Sequence, residues 1–276
     1  METLEELIKY VKRNYAEGTW EEFVKSRPPV VNSNPDRLAK EFIEEGLARR
    51  TRLFREYIKF TFKNYALPKI DDIYDARILS LPCANGEEAF TLAVTALEAG
   101  LRHFKIEGRD ISEEHINHAL RGETWLQKRR IEQLADYIEK GYFSSTTAKY
   151  PDPNFFVGRA VQNKCEFYVH DILSHEIPDG YEVTYCLNLL IHLSETGRDT
   201  ALWNLTKNMR QGDLLILDEP YEVPAAINAL NSRMYGQVYE QFGWKKAFND
   251  FLANMEAKED LKLRKLGEDN VYEKRM

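Results

Sequence analysis

The chain has 276 residues, 43% of them hydrophobic and 30% charged, with a formal net charge of −7. That length supports one large or two modest domains and a core that needs no metal or disulfide to hold it. No run approaches the ~20 apolar residues of a membrane span, and the acid excess disfavours general nucleic-acid binding.

Residues 3–65 read as helices without a strand signal. METLEELIKYVKRNY gives a charged amphipathic helix with Leu4, Leu7, Ile8 and Val11 on one stripe, and lacks the apolar core of a secretion signal. PDRLAKEFIEEGL opens with the helix-starting pair Pro35 and Asp36 and ends near Gly46. TRLFREYIKFTFKNY turns Leu53, Phe54, Tyr57, Ile58 and Phe62 inward. The segment ALPKIDDIYD predicts a linker, which divides the chain into a small helical N-terminal domain, residues 1–68, and a second domain, residues 69–276. Residues 1–68 carry 13 Lys and Arg against 11 Asp and Glu, the remainder 25 against 34. Arg49, Arg50, Arg52, Arg55, Lys59 and Lys63 fall close together. They form either a solvated helix face or a docking face for an acidic partner.

From residue 77 strands and helices alternate. Strands are predicted at 77–82, 103–109, 165–170, 181–187 and 213–218, and helices at 86–99, 112–121, 126–140, 195–209 and 223–241. That alternation implies an α/β domain with a parallel sheet and helices on both faces. Residues 141–165 hold a possible small insertion, a loop or hairpin. LKLRKLGEDNVYEKRM predicts two antiparallel edge strands joined at Gly267, Glu268 and Asp269. Cys83, Cys165 and Cys186, an odd number, read as free buried thiols of a reducing, cytoplasmic compartment.

In an open parallel sheet, ligands lie beyond the carboxyl ends of the strands. Here those ends carry Pro82-Cys83-Ala84-Asn85-Gly86, then Asp110, His170-Asp171, Asn188 and Asp218-Glu219. Asp110 can accept hydrogen bonds from both hydroxyls of a ribose. Asp171 and Asn188 stand where an adenine edge and the rest of the ligand would be read. Glu87, Glu88 and Asp110 would together repel a diphosphate, and the turn lacks the Gly-x-Gly-x-x-Gly of a dinucleotide oxidoreductase. A cationic adenosine ligand fits better. S-adenosylmethionine has a ribose, an adenine, an ammonium and a sulfonium, with one carboxylate; the small turn lets backbone approach its methionine portion, and a glutamate can pair with its ammonium. Each residue also has a plainer role. Glu87 and Glu88 suit a helix N-terminus, Asp110 could cap the helix that starts near Ser112, and Asn188 could cap a turn. Their joint placement at successive strand tips carries the reading. His115 and His118 are three apart on one helix, but no cysteine or acid cluster completes a metal site, so no metal is expected. Tyr235, Tyr239, Phe242 and Trp244 read as packing residues of the last helix.

These residues resemble the chemotaxis receptor (protein-glutamate) methyltransferase family, CheR-type, over nearly the whole chain. TRLFRE (51–56) is similar to its Thr-x-x-Phe-Arg segment, SLPCANGEEAFTLAV to its small-residue loop followed by Gly-Glu-Glu, and GRDISEEHINHALRGETW to its strand ending in Asp-Ile. GYF (141–143) resembles the Tyr-Phe before its β-subdomain, CEFYVHDIL its strand ending in Asn-Leu, and YCLNLLIHL its Cys-Arg-Asn-x-x-Ile-Tyr-Phe. The resemblance implies a Rossmann-like S-adenosylmethionine methyltransferase fold preceded by an all-helical domain, and O-methylation of glutamates on a chemoreceptor-like protein. It implies that Thr51 and Arg55 lie close to the cofactor, and that Ala84, Gly86 and Glu88 form the turn at its methionine end. By the same resemblance Asp110 holds the ribose, Asp171 and Ile172 flank the adenine, and Asn188 and Leu187 stand beside the cofactor. Leu187 replaces the family's arginine, Asp171 its asparagine and His192 its tyrosine near the methyl group. A receptor-docking β-subdomain is not readable in residues 141–165.

A glutamate acceptor is already ionised at neutral pH, with a reference pKa of about 4.3, so the chemistry needs alignment and desolvation rather than a general base. Arg55 could orient the carboxylate, and His192 could line the methyl channel or serve as base for a different acceptor. The basic cluster from Arg49 to Lys63 is the candidate face for an acidic substrate helix; nothing predicts insertion of this chain into a membrane, although its substrate could be membrane-bound. Two other readings stay open: methylation of a small molecule or another acceptor, and a non-catalytic cofactor-binding regulator.

Overall fold

The computed structural model describes residues 9, 10, 13, 56–70, 73–124, 134–145, 155–217, 250–252, 254–267 and 269–276. The expected helices of residues 14–55 and 223–241, with Thr51, Arg55, Asp218, Glu219 and the aromatics from Tyr235 to Trp244, lie outside these residues.

The described chain enters through helix α1, Glu56–Thr61, which continues through a π-helical stretch, Phe62–Ala66, into a last turn, Leu67–Ile70. Ile58, Phe62, Ala66 and Ile70 have no exposed surface. The linker expected at 66–75 is therefore helical as far as Ile70, because its apolar residues continue the buried stripe of the helix before it.

Strand β1, Ala76–Ser80, leads to α2, Glu87–Glu98; β2, Phe104–Asp110, leads to α3, Glu113–Arg121. Then come β3, Glu123–Thr124; α4, Ala135–Glu139; β4, Phe143–Ser145; β5, Phe155–Val157; and α5, Arg159–Gln162. The domain closes with β6, Cys165–Val169; β7, Val183–Cys186; α6, Glu195–Thr206; β8, Leu214–Leu217; β9, Leu263–Lys265; and β10, Val271–Lys274. Seven strands form one sheet in the order β6-β2-β1-β7-β8-β10-β9. The first five are parallel, and the pairings of β10 with β8 and β9 are antiparallel. This is the expected Rossmann-like sheet with its edge hairpin. The chain runs from β1 outward to β6, then returns to the other side of β1 for β7. The order thus reverses between β1 and β7, the position where such sheets open a crevice.

Side-chain alternation splits the core in two. Ala76 and Ile78 face Ile58 of α1, Phe62 of the π-helical stretch and Phe90 and Val94 of α2, in a cluster that also takes Ile106, Tyr185 and Ile216. Leu79 and Leu81 face the other way, towards Cys186, Leu202, Leu205, Leu217 and Tyr272. Gly108 is paired with Phe167 across β2 and β6. A Cβ there would lie 2.5 Å from the Phe167 ring and 3.0 Å from Cys83 Sγ, so the bare backbone is what lets both side chains fill the space. Within the expected insertion β4 and β5 pair antiparallel, and β3, which precedes it in the chain, adds to β5 to make a separate three-stranded antiparallel sheet. A two-residue strand such as β3 has no periodicity to betray it. All three cysteines are free thiols. Among the described residues no helix is long and apolar enough to cross a membrane.

Candidate cofactor crevice

The turn after β1 is folded tightly against the tip of β2. The Cys83 N–H donates to Arg109 O at 2.9 Å, the Gly86 N–H to Cys83 O at 2.9 Å, and the Ala84 N–H to Asp110 Oδ2 at 2.8 Å. Asp110 Oδ1 accepts from the Ser112 N–H at 3.0 Å. The residue is 5% exposed. Two charge-assisted bonds therefore fix the carboxylate, and roughly half of its four lone-pair sites remain. The plainer reading of Asp110 holds in part: it stabilises the start of α3, while the N-cap proper is Ser112, whose Oγ accepts from the His115 N–H.

Ala84 and Asn188 both have left-handed backbones, φ 45° and 60°. Such residues are uncommon outside glycine and gather where surrounding structure enforces them. Asp75 and Lys262 share this trait elsewhere; the other two flank the crevice. Gly86 has φ 87°, and a Cβ on it would lie 2.8 Å from the Phe90 ring and 3.1 Å from Ala119 Cβ. Backbone alone fits between α2 and α3.

Glu88 is fully buried in the first turn of α2 and accepts from Ser80 Oγ at 2.8 Å. Burial, then the charges of Asp110, Glu88 and Glu87, push the Cys83 thiol far above its ordinary value. Three carboxylates thus converge on this turn. Asp171, half-buried, accepts from the Leu173 N–H at 2.9 Å, Ser174 Oγ at 2.6 Å and the Tyr10 hydroxyl at 2.9 Å. Ile172 is buried, and its carbonyl accepts from Asn204 Nδ2 at 2.6 Å. Leu187 is enclosed in the core cluster of α1, α2 and Tyr185. His192, half-buried, ends the 3-10 turn Leu190–His192, whose Leu190 carbonyl accepts from Arg198 Nε at 2.9 Å.

On the other face of the sheet, Glu107 is a buried hub. It accepts from Arg77 Nη2 at 2.9 Å, Arg109 Nε at 2.5 Å and the Tyr181 hydroxyl at 2.5 Å. Burial and the Glu107 bond push the Tyr181 hydroxyl up to about 12. Arg109 Nη1 lies 3.1 Å from His170 Nδ1. Burial, then the Arg109 charge, hold the His170 imidazole below its ordinary value.

Sequence reasoning missed Ser80, Tyr10 and the Glu107 hub. Ser80 was legible as the polar end of an apolar strand. Tyr10 was not, since nothing local ties it to a residue 161 positions away.

A doubly wound sheet with an acid-lined turn at its switch point defines a nucleoside-cofactor protein. Residues 49–234 match the CheR methyltransferase, SAM binding domain, and the chain belongs to that family of S-adenosylmethionine-dependent methyltransferases. The chain is similar to a chemotaxis protein methyltransferase of Listeria monocytogenes, 25% identical over 190 residues, which are 65% of this chain and 68% of the relative. It is also similar to the "Probable biofilm formation methyltransferase WspC" of Pseudomonas aeruginosa, 27% identical over 149 residues, 52% of this chain but about a third (34%) of that protein. Among solved structures, a SAM-dependent methyltransferase from Geobacter sulfurreducens in complex with S-adenosyl-L-homocysteine aligns with a TM-score of 0.36 and 16% identity, over 69% of this chain and 59% of that one.

The residues in place fit this cofactor. Asn85 Oδ1, between Ala84 and Gly86, is buried without a hydrogen-bond partner among the described residues. It is an acceptor suited to an ammonium. Asp110, two of whose lone-pair sites remain open, is the other acceptor at this turn.

Proposed function

We propose that the chain methylates glutamate side chains of a protein, presented on an acidic helix of a chemoreceptor-like substrate. The observation that carries this is the Asp110 carboxylate, pinned by two backbone N–H groups at the mouth of the family's Gly-Glu-Glu turn. Asp110 holds the ribose, Asn85 and the acids of the turn take the ammonium end, and Asp171 with Ile172 borders the adenine. When bound, the cofactor supplies a methyl group on a sulfonium, which leaves as a neutral thioether. The chain's own residues need move no proton, because the acceptor carboxylate is already ionised. Their work is to orient the acceptor and exclude water; Arg55 is assigned the orienting role and His192 the wall of the methyl channel.

Residues 1–68 are assigned to substrate docking through the cluster from Arg49 to Lys63. Lys63 is exposed, and Lys59 is bound to Glu56 at 3.2 Å. Reversing the charges of Arg49, Arg50 and Lys59 raises KM for the protein substrate and leaves cofactor affinity unchanged; equal KM values would remove the docking role. The whole reading is tested by incubating the chain with labelled cofactor and cell extract. Label on protein, released by mild base as a methyl ester is, supports it. Base-stable label or a labelled small molecule refutes it.

A second reading, an alcohol, amine or small-molecule acceptor, is favoured by the imidazole at 192. A bell-shaped pH profile near neutrality, lost in His192→Ala, would select it. Cofactor binding without any turnover would select a regulator.

A further inference from the structure

The geometry points to His115 as a second ribose-binding side chain that grips one hydroxyl jointly with Asp110, an inference that rests on the reading of Asp110 as the ribose acceptor. His115 lies in the first turn of α3, with its N–H bonded to the cap, Ser112 Oγ, at 3.3 Å. Helical side chains lean towards the N-terminus of their helix, so the imidazole leans towards the tip of β2. Together with Ile116 and Ala119 it forms the buried face of α3, and it is itself 9% exposed.

Its Nδ1 faces Asp110 Oδ1 at 3.8 Å. That is too far for a hydrogen bond, and no other described atom bonds to Nδ1. A buried imidazole nitrogen left unmatched is costly, and native structures seldom leave one without a use. Asp110 cannot close the gap by rotating. Its Oδ1 is held by Ser112 at 3.0 Å and its Oδ2 by Ala84 at 2.8 Å.

Both atoms therefore have hydrogen-bonding capacity to spare; Nδ1 is closed to solvent as the chain stands, so a ligand group reaches the pair through a small shift of the His115 ring. With the Nδ1–H tautomer, the one assigned to this site, what fits between them must donate to the carboxylate and accept from the imidazole. A hydroxyl does both. An ammonium only donates, and an adenine ring nitrogen only accepts. A ribose hydroxyl on the Oδ1 side completes the set, with the Nδ1 nitrogen carrying the proton. A site built this way discriminates against the ligand that lacks the hydroxyl, because two buried polar groups are then left open.

The test is calorimetric titration of S-adenosylhomocysteine and its 2′-deoxy and 3′-deoxy analogues against wild type, His115→Ala, His115→Asn and Asp110→Asn. Wild type binds one of the two deoxy analogues at least about tenfold more weakly than the parent. In His115→Ala that gap shrinks below about threefold and parent affinity falls about fivefold, the effect of one neutral hydrogen bond. His115→Asn, whose amide can donate from near the Nδ1 position, keeps most of the discrimination. Where His115→Ala does not fold, His115→Leu, closer in volume, carries the comparison. No discrimination in wild type, or the same discrimination in wild type and the His115 variants, overturns the inference; loss of parent binding in Asp110→Asn then shows that the crevice reading survives it. Undiminished parent binding in Asp110→Asn overturns both.

Discussion

Gly86 and Gly100 form a matched pair for testing the turn. Both have φ 87°, one before α2 and one after it. Alanine at either position is forced into the left-handed region, at about 1–2 kcal/mol. At Gly100 a Cβ meets nothing within 4 Å, so that is the whole cost. At Gly86 it meets the Phe90 ring at 2.8 Å. The ring cannot yield cheaply: Phe90 is fully buried and packed edge-on against Phe167, with centroids 5.4 Å apart. Overpacking of this kind adds about 1–3 kcal/mol. Gly100→Ala should thus lose about 1–2 kcal/mol and Gly86→Ala about 2–5 kcal/mol. At this chain length each kcal/mol lowers the melting temperature by about 2–4 °C, so the two variants separate in a thermal melt. Urea midpoints give an independent measure. Calorimetry supplies the functional arm: Gly86→Ala should weaken S-adenosylhomocysteine at least about tenfold, and Gly100→Ala should leave it unchanged. Equal stability losses would refute the packing argument. Wild-type affinity in Gly86→Ala would show that this turn does not meet the cofactor.

Three further outcomes follow from the contacts. Ser80→Ala removes the hydroxyl that donates to the buried Glu88 carboxylate; hydrogen bonds to charged groups are worth about 1.5–3 kcal/mol, and a urea-unfolding loss below half a unit of that scale would deny the bond its role. Tyr57→Phe deletes the buried 2.8 Å bond from α1 to Leu217 O and should cost about 1 kcal/mol, with unchanged stability as the contrary result. His170 has a folded pKa depressed below its ordinary 6.5 by burial and Arg109, so between those two values the unfolded chain binds more protons. Its contribution to stability is complete above pH 6.5 and declines as pH falls towards the folded value. His170→Asn should flatten the stability curve across that window; an identical acid-side slope in wild type and variant would count against it.

The sheet was legible because its strands are short apolar runs separated by clear turns. Observed strands begin and end within two residues of those expected, as at 104–110 against 103–109. Asp110 and the Gly86 turn were legible for a topological reason: whatever the loops do, parallel strands bring their carboxyl ends together. What could not be read was contact across distance. Tyr10 reaching Asp171, and Arg77 of β1 meeting Glu107 of β2 and Tyr181 before β7, depend on strand order, which no local pattern encodes. His115 and His118, three apart in sequence, were read together, and their different surroundings were not legible. The helix turns them apart: His115 is buried beside Asp110, while His118 bonds Glu123 at 2.8 Å on the outer side. The basic cluster remains a matter of sequence for Arg49 to Arg55.

Arg109 belongs to two tips at once. Its carbonyl receives the Cys83 amide of the turn after β1, and its guanidinium touches His170 at the end of β6. A displacement at either place strains the same residue. The loop after β1 and the end of β6 are thus braced through one residue, by its backbone on one side and its side chain on the other.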